Sequence, residues 1–190
     1  MNMKTSHVRK LALVAVFAAL GIVISSFTVF VVFGTKANPT QHMVNAILGV
    51  FVGPFWAVVA AIIVGTMRNL LGVGTLFAFP GGIPGGLVVG SVYWLLKRLR
   101  TSEKTRLVSA LTEPIGTLLI GVPVALFVMA PWLGTQNLVD LMLEQGVLSA
   151  FLIFGAGWAL SCVPGSIIAF LVLSILKRVG ISRETLFGQE

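Results

Sequence analysis

Acidic side chains are scarce in this chain: six Asp or Glu among 190 residues, against thirteen Lys or Arg. Charged residues of both signs reach only 10%, while apolar residues reach 57%; a water-soluble domain carries about 25% and about 45–50%. With a mean hydropathy of +1.02, that shortage of charge excludes an ordinary soluble enzyme. Cysteine occurs once, at Cys162, so an intramolecular disulfide and a CxxC metal site are both ruled out. It lies in an apolar segment, where a lone cysteine serves as a small packing residue. Two histidines, His7 and His42, cannot build a three-histidine metal centre. The phosphate loop GxxxxGK[ST], HExxH and GxSxG are all missing, so ATP hydrolysis, zinc proteolysis and serine hydrolysis lack their machinery. No cofactor and no enzymatic activity are expected.

What is present is length of hydrophobic run. Segments of about 18 or more apolar residues read as helices in a bilayer, and these runs do not alternate as the strands of a membrane barrel would. The fold class is therefore an all-α integral membrane protein. The net charge of +7 does not form a nucleic-acid stripe, because the basic residues fall into three short clusters: Lys4 to Lys10, Lys97 to Arg106, and Lys177 to Arg183. Clusters of this kind flank membrane spans on the cytoplasmic side. The apolar stretch from Leu11 to Phe33 is too long for a signal-peptide core and reads as a retained first span.

The stretch between about 39 and 72 decides the topology. As one helix it gives five spans and puts the Lys97–Arg106 loop outside. Broken at Gly53-Pro54, where proline starts a helix but cannot continue one, it gives a six-transmembrane-helix bundle with both termini cytoplasmic. Eleven of the thirteen basic residues then lie inside, leaving Lys36 and Arg68. The expected helices are about 11–33, 39–52, 54–72, 82–98, 105–130 and 147–177, in a single membrane domain spanning 1–190. Helix 2 is short, about 21 Å at 1.5 Å per residue, and short or broken spans border substrate cavities. A Gly/Pro-rich outer loop, GVGTLFAFPGGIPGG, is expected between helices 3 and 4. The segment PWLGTQNLVDLMLEQG is expected to hold a short interfacial helix carrying Asp140 and Glu144.

Polar groups at membrane depth are costly and point to function. In NPTQHMVN, Gln41 and Asn45 share a helical face with His42 beside them, either as ligand donors and acceptors or as interfacial groups behind an Asn38/Thr40 cap. Arg68 and Asn69 read either as a snorkelling interface pair or as donors that hold the glycine-rich loop or a ligand. Glu113, the one acidic residue inside a span, sits in LTEPIGTLLIG with Thr117 one turn on; it could accept from a ligand, pair with Arg68, or act as protonated glue between helices. In this topology His42 and Glu113 lie at different depths, which speaks against an enzyme built on the two. Phe151, Phe154 and Trp158 follow one face; packing suits the phenylalanines, and Trp158, among the small residues of GAGWALS, suits a stacking wall. Ala12, Ala15 and Ala19 make a smooth strip on helix 1 that suits close helix approach, within the bundle or to a second membrane subunit.

The size, the alanine strip, the missing ATPase motif and three stretches, KANPTQHMVN, RNLLGVGTLFAFPGG and EPIGTLLIG, together resemble the substrate-binding subunits of energy-coupling-factor vitamin transporters. Within these they resemble the ThiW family, associated with the thiamine precursor hydroxyethylthiazole. The resemblance implies a prokaryotic plasma-membrane protein that binds its substrate in an outward-facing cavity. It implies docking through Ala15 and Ala19 to a transmembrane coupling subunit carrying two ATPases. The residues it carries over are Gln41, His42, Asn45, Arg68, Asn69, Thr75, Phe79, Glu113 and Thr117. A flat thiazole needs an aromatic wall and a few placed polar groups; cationic thiamine would favour an ionised Glu113. A stand-alone proton-coupled transporter using Glu113 is the alternative.

Overall fold

The computed structural model describes residues 3–32 and 35–188. The chain is a helical bundle: α1 (Met3–Thr28), α2 (Pro39–Val52), α3 (Pro54–Leu70), α4 (Ala78–Arg98), α5 (Glu103–Trp132), α6 (Gln136–Gln145), α7 (Val147–Arg178) and α8 (Arg183–Phe187). Among the described residues, four segments are long and apolar enough to cross a membrane: Ser6–Thr28, Ala78–Arg98, Glu103–Trp132 and Val147–Arg178. The 17 residues of α3 form a shorter apolar helix.

The surface is apolar, and a set of polar side chains lies within the otherwise apolar interior. Phe27, Leu119, Phe127, Leu152 and Ile175 stand exposed, as lipid-facing residues do. Gln41, His42, Asn45, Arg68, Glu113 and Thr117 are buried. The helix that gathers them is α2, in which twelve of fourteen residues are buried. It therefore serves as the core around which α1, α3, α4 and α7 pack. Asn38 caps it by accepting from the Gln41 N–H at 3.1 Å, and Pro39 occupies its first turn. Its far end is set by Gly53, whose φ of +90° is open to glycine and costly for residues with a Cβ. Pro54 then starts α3.

Two sequence expectations are corrected, and one helix carries a feature not anticipated in detail. Helix 1 does not run to residue 33: α1 ends at Thr28, and the Val- and Phe-rich run after it forms a strand, β1 (Phe30–Val32), paired antiparallel with β2 (Thr35–Ala37). β-Branched and aromatic residues suit a strand as well as an apolar helix, so hydropathy alone cannot separate the two; Phe33 itself lies outside the described residues. The Gly/Pro-rich segment is loop only as far as Phe77, because α4 begins at Ala78 and takes in Pro80 to Gly86. Glycine is a poor helix former, but here its lack of a side chain permits packing that others would block. A Cβ on Gly82 would collide with Gln41 Nε2, and one on Gly85 with Glu113 Oε1. Finally, α5 is not evenly wound. Val108–Thr112 is a 3₁₀ stretch, and Thr117–Gly121 and Ala125–Met129 are π-helical. The prolines at 114, 123 and 131 each remove a backbone donor from this segment.

Candidate substrate-binding cavity

A cavity of about 760 Å³ opens between the hairpin, the start of α4, α6 and the first half of α7. One wall is aromatic. Phe77 meets Phe154 edge-on at 5.9 Å between ring centres, and Phe154 lies 5.0 Å from Trp158. The Trp158 ring rests over Gly81, where an added Cβ would come within 3.4 Å of it. The polar side is supplied by Gln41, His42, Thr75 and Ser161, with Lys36 on the hairpin reaching across to donate to Gly72 O at 2.7 Å.

Behind this surface runs a buried network. His42 Nδ1 lies 2.7 Å from Glu113 Oε1, and His42 is 7% exposed while Glu113 is 0% exposed. Thr117 Oγ1 stands 3.0 Å from the same carboxylate oxygen and 2.8 Å from Gly81 O; its single proton serves one of them at a time. Glu113 Oε2 has no hydrogen-bond partner among the described residues. On the other side of His42, Arg68 Nη1 donates to Gln41 Oε1, and Gln41 Nε2 donates to Ala78 O at 3.0 Å. Asn45 Nδ2 donates to Gly82 O at 3.0 Å. Three side chains on α2 and α5 thus bind carbonyls in the first turns of α4, and the bare glycines there let them approach.

Of the ten ligand candidates, Gln41, His42, Thr75 and Trp158 line the cavity. Asn45, Arg68, Glu113 and Thr117 lie behind the lining as its hydrogen-bonded support. Asn69 binds its own loop, donating to Gly65 O at 2.7 Å and Thr75 O at 3.0 Å. Phe79 turns to α3 instead, where a Cβ on Gly65 would meet its ring at 3.2 Å. Ala12, Ala15 and Ala19 are remote from the cavity and exposed along α1.

Two expectations about Glu113 are overturned. It pairs with His42 and not with Arg68, which instead holds Gln41. Nor do His42 and Glu113 sit at different depths. The hairpin takes up the chain between the end of α1 and Asn38, so that the first turn of α2 comes level with Glu113. The sequence reading also left out Phe77, Ser161 and the α6 residues Asn137, Leu138 and Leu141, all of which line the cavity. Ser161 stood in GAGWALS as one small residue among several, and Phe77 in a stretch read as loop. A short helix was expected where α6 lies, but what it covers was not.

The model of the thiamine-precursor transporter protein family ThiW matches residues 11–179. The chain belongs to this family. No curated protein and no solved structure matches it. The match takes in α1 from residue 11 onward, the hairpin and α2 through α7, so every element of the cavity lies within the ThiW region. ThiW proteins are transporters of a small thiamine precursor, and an aromatic wall facing a few fixed polar groups is the surface such a molecule requires.

Proposed function

We propose that this ThiW protein is the substrate-binding membrane subunit of an ATP-driven importer of the energy-coupling-factor type, with hydroxyethylthiazole as its substrate. The observation that carries the reading is the cavity itself: an aromatic wall of Phe77, Phe154 and Trp158 facing a polar side held rigid from behind. The flat ring stacks on the wall, and its nitrogen and hydroxyl take the polar side. Among the described residues no Asp or Glu lines the cavity; Glu113 lies behind it with Oε1 held against His42 Nδ1. That supports the neutral thiazole over cationic thiamine.

In this reading the chain is one membrane domain of six spans, with α2 and α3 as two short ones and both termini cytoplasmic, in a prokaryotic plasma membrane. The exposed strip of Ala12, Ala15 and Ala19 docks on a transmembrane coupling subunit that carries two ATPases. The sequence has no phosphate loop of its own, so turnover requires those partners. Titration of the purified protein with hydroxyethylthiazole and with thiamine, read by tryptophan fluorescence and calorimetry, tests the substrate. Tight thiazole binding with weak thiamine binding is expected; preference for thiamine would overturn the assignment.

The His42–Glu113 contact favours one second reading, a stand-alone proton-coupled transporter in which the cavity reaches a buried carboxylate through an imidazole. Protein in liposomes decides between them. Accumulation on a proton gradient alone, abolished by Glu113→Gln, would replace the ATP-driven model.

A further inference from the structure

Several polar groups in and behind the cavity wall are already committed to the protein. Gln41 accepts from Arg68 and donates to Ala78 O, and Asn45 and Thr117 are turned to α4 carbonyls. Thr75, Thr135 and Asn137 also face the cavity from the loops and α6; on α2 and α7, which carry its inner wall, two lining residues keep one hydrogen-bonding direction open, in opposite senses. His42 is fixed through Nδ1 to Glu113, which leaves Nε2 for the cavity. Arg68 and Glu113 are buried on either side of the Gln41–His42 pair. A carboxylate at Glu113 with a neutral His42 balances the charge of Arg68, whereas an imidazolium would leave an excess positive charge where burial penalises it. In that tautomer Nδ1 carries the proton and Nε2 presents a lone pair.

Ser161 is the converse. Its Oγ accepts the Asn38 N–H at 2.7 Å, and its own proton makes no hydrogen bond to the described residues. The two groups are in register. Asn38 faces Ser161, and one turn along α2 His42 faces Gly165, where a Cβ would lie 2.8 Å from the His42 Cβ. α2 and α7 therefore run in the same direction here, with acceptor and donor about one helical turn apart, ~5.4 Å.

We propose that His42 Nε2 and Ser161 Oγ form an acceptor–donor pair that selects a neutral heteroaromatic alcohol. The ligand hydroxyl donates to His42, a ring nitrogen accepts from Ser161, and the ring lies on Trp158 and Phe154. Ser161 is thereby a specificity-determining residue, and Glu113 a positioning residue that acts through His42. The proposal rests on the cavity being the substrate site.

The test is calorimetry on the full-length protein with a ligand series. A hydroxyalkyl pyrimidine carries the same two groups as hydroxyethylthiazole, and whichever binds tighter is taken as parent. The methyl ether of the parent keeps the oxygen but has no proton to give, and a cavity of 760 Å³ has room for one methyl group. It is expected to bind about tenfold or more weakly, as is the analogue with a ring C–H in place of the accepting nitrogen. In Ser161→Ala the parent loses affinity while that carbon analogue does not, so their ratio falls towards one and the alcohol-to-ether ratio stays. In His42→Leu the alcohol-to-ether ratio collapses instead. Where His42→Leu does not fold, the ether comparison on the unaltered protein decides alone. An ether that binds as well as the alcohol overturns the acceptor role of His42. Equal loss of parent and carbon analogue in Ser161→Ala makes Ser161 a structural group and overturns its role. Failure of both parent alcohols to bind the unaltered protein removes the substrate site itself, and the proposal with it.

Discussion

The two ends of the bundle are held by different physics. At the cavity end, buried side chains bond one another and the backbone of α4 with little water to replace a lost partner. At the other end, α8 folds back under the bundle. Ser182 caps it with a capping box, Phe187 is buried, and Arg183 donates to Val50 O near the end of α2 while lying 5.4 Å over the Tyr93 ring. Around that anchor the contacts are ionic and half-exposed: Arg106 to Glu184 at 3.1 Å and Lys177 to Glu103 at 2.7 Å. Water and salt can substitute for these. A polar contact is therefore worth more at the end that looks emptier, because what surrounds it is protein and lipid.

The sharpest way to break this contrast is at Glu113. Glu113→Ala leaves His42 without its buried acceptor and the buried Arg68 without a compensating charge, and is expected to cost about 3 kcal/mol or more in stability; Thr117 keeps Gly81 O. Thermal unfolding in detergent checks the first effect; ligand titration, with binding lost by about 100-fold or beyond, checks the second. At the closed end the large effect should come from packing. Phe187→Ala is expected to lower stability by about 2–3 kcal/mol, near the low end for a buried aromatic because α8 is short and can shift, and to leave ligand affinity unchanged. A fall in affinity would mean that the two ends are coupled. The smallest effect belongs to Lys177→Met, which removes a part-exposed ion pair worth about 0.2–1 kcal/mol. Its loss should shrink further in high salt, as screening predicts, and the binding isotherm should not move.

Much of the framework was legible because membrane helices follow from consecutive apolar residues. The break at Gly53-Pro54 could be read directly, since proline must start a helix there, and the short α2 followed from it. A short helix was expected in the segment that forms α6 (Gln136–Gln145). The hairpin was not: Val29 to Val32 reads equally well as helix or strand, and its pairing with residues 35–37 is a contact between segments. The start of α4 was misread because Gly81, Gly82, Gly85 and Gly86 disfavour a helix locally, while close packing requires them: Gly82 against Gln41, Gly85 against Glu113, Gly81 against Trp158 and Gly86 against Ala57. At the site, residue types were visible and partners were not. Glu113 and Arg68 are opposite charges and the obvious pair, yet α2 passes between them, and each is met by one of its neighbours, His42 and Gln41.

By itself, then, the sequence determined a helical membrane protein, the break that makes α2 short, and a polar first turn of α2 too costly to lie in lipid. Each of these follows from the solvation of neighbouring residues along one chain segment. Only the tertiary structure decided that His42 meets Glu113 71 residues away, that Arg68 serves Gln41, and that Ser161 rather than Phe79 lines the cavity. Those outcomes depend on where helices cross and how closely their backbones approach, which the bare glycine face of α4 sets.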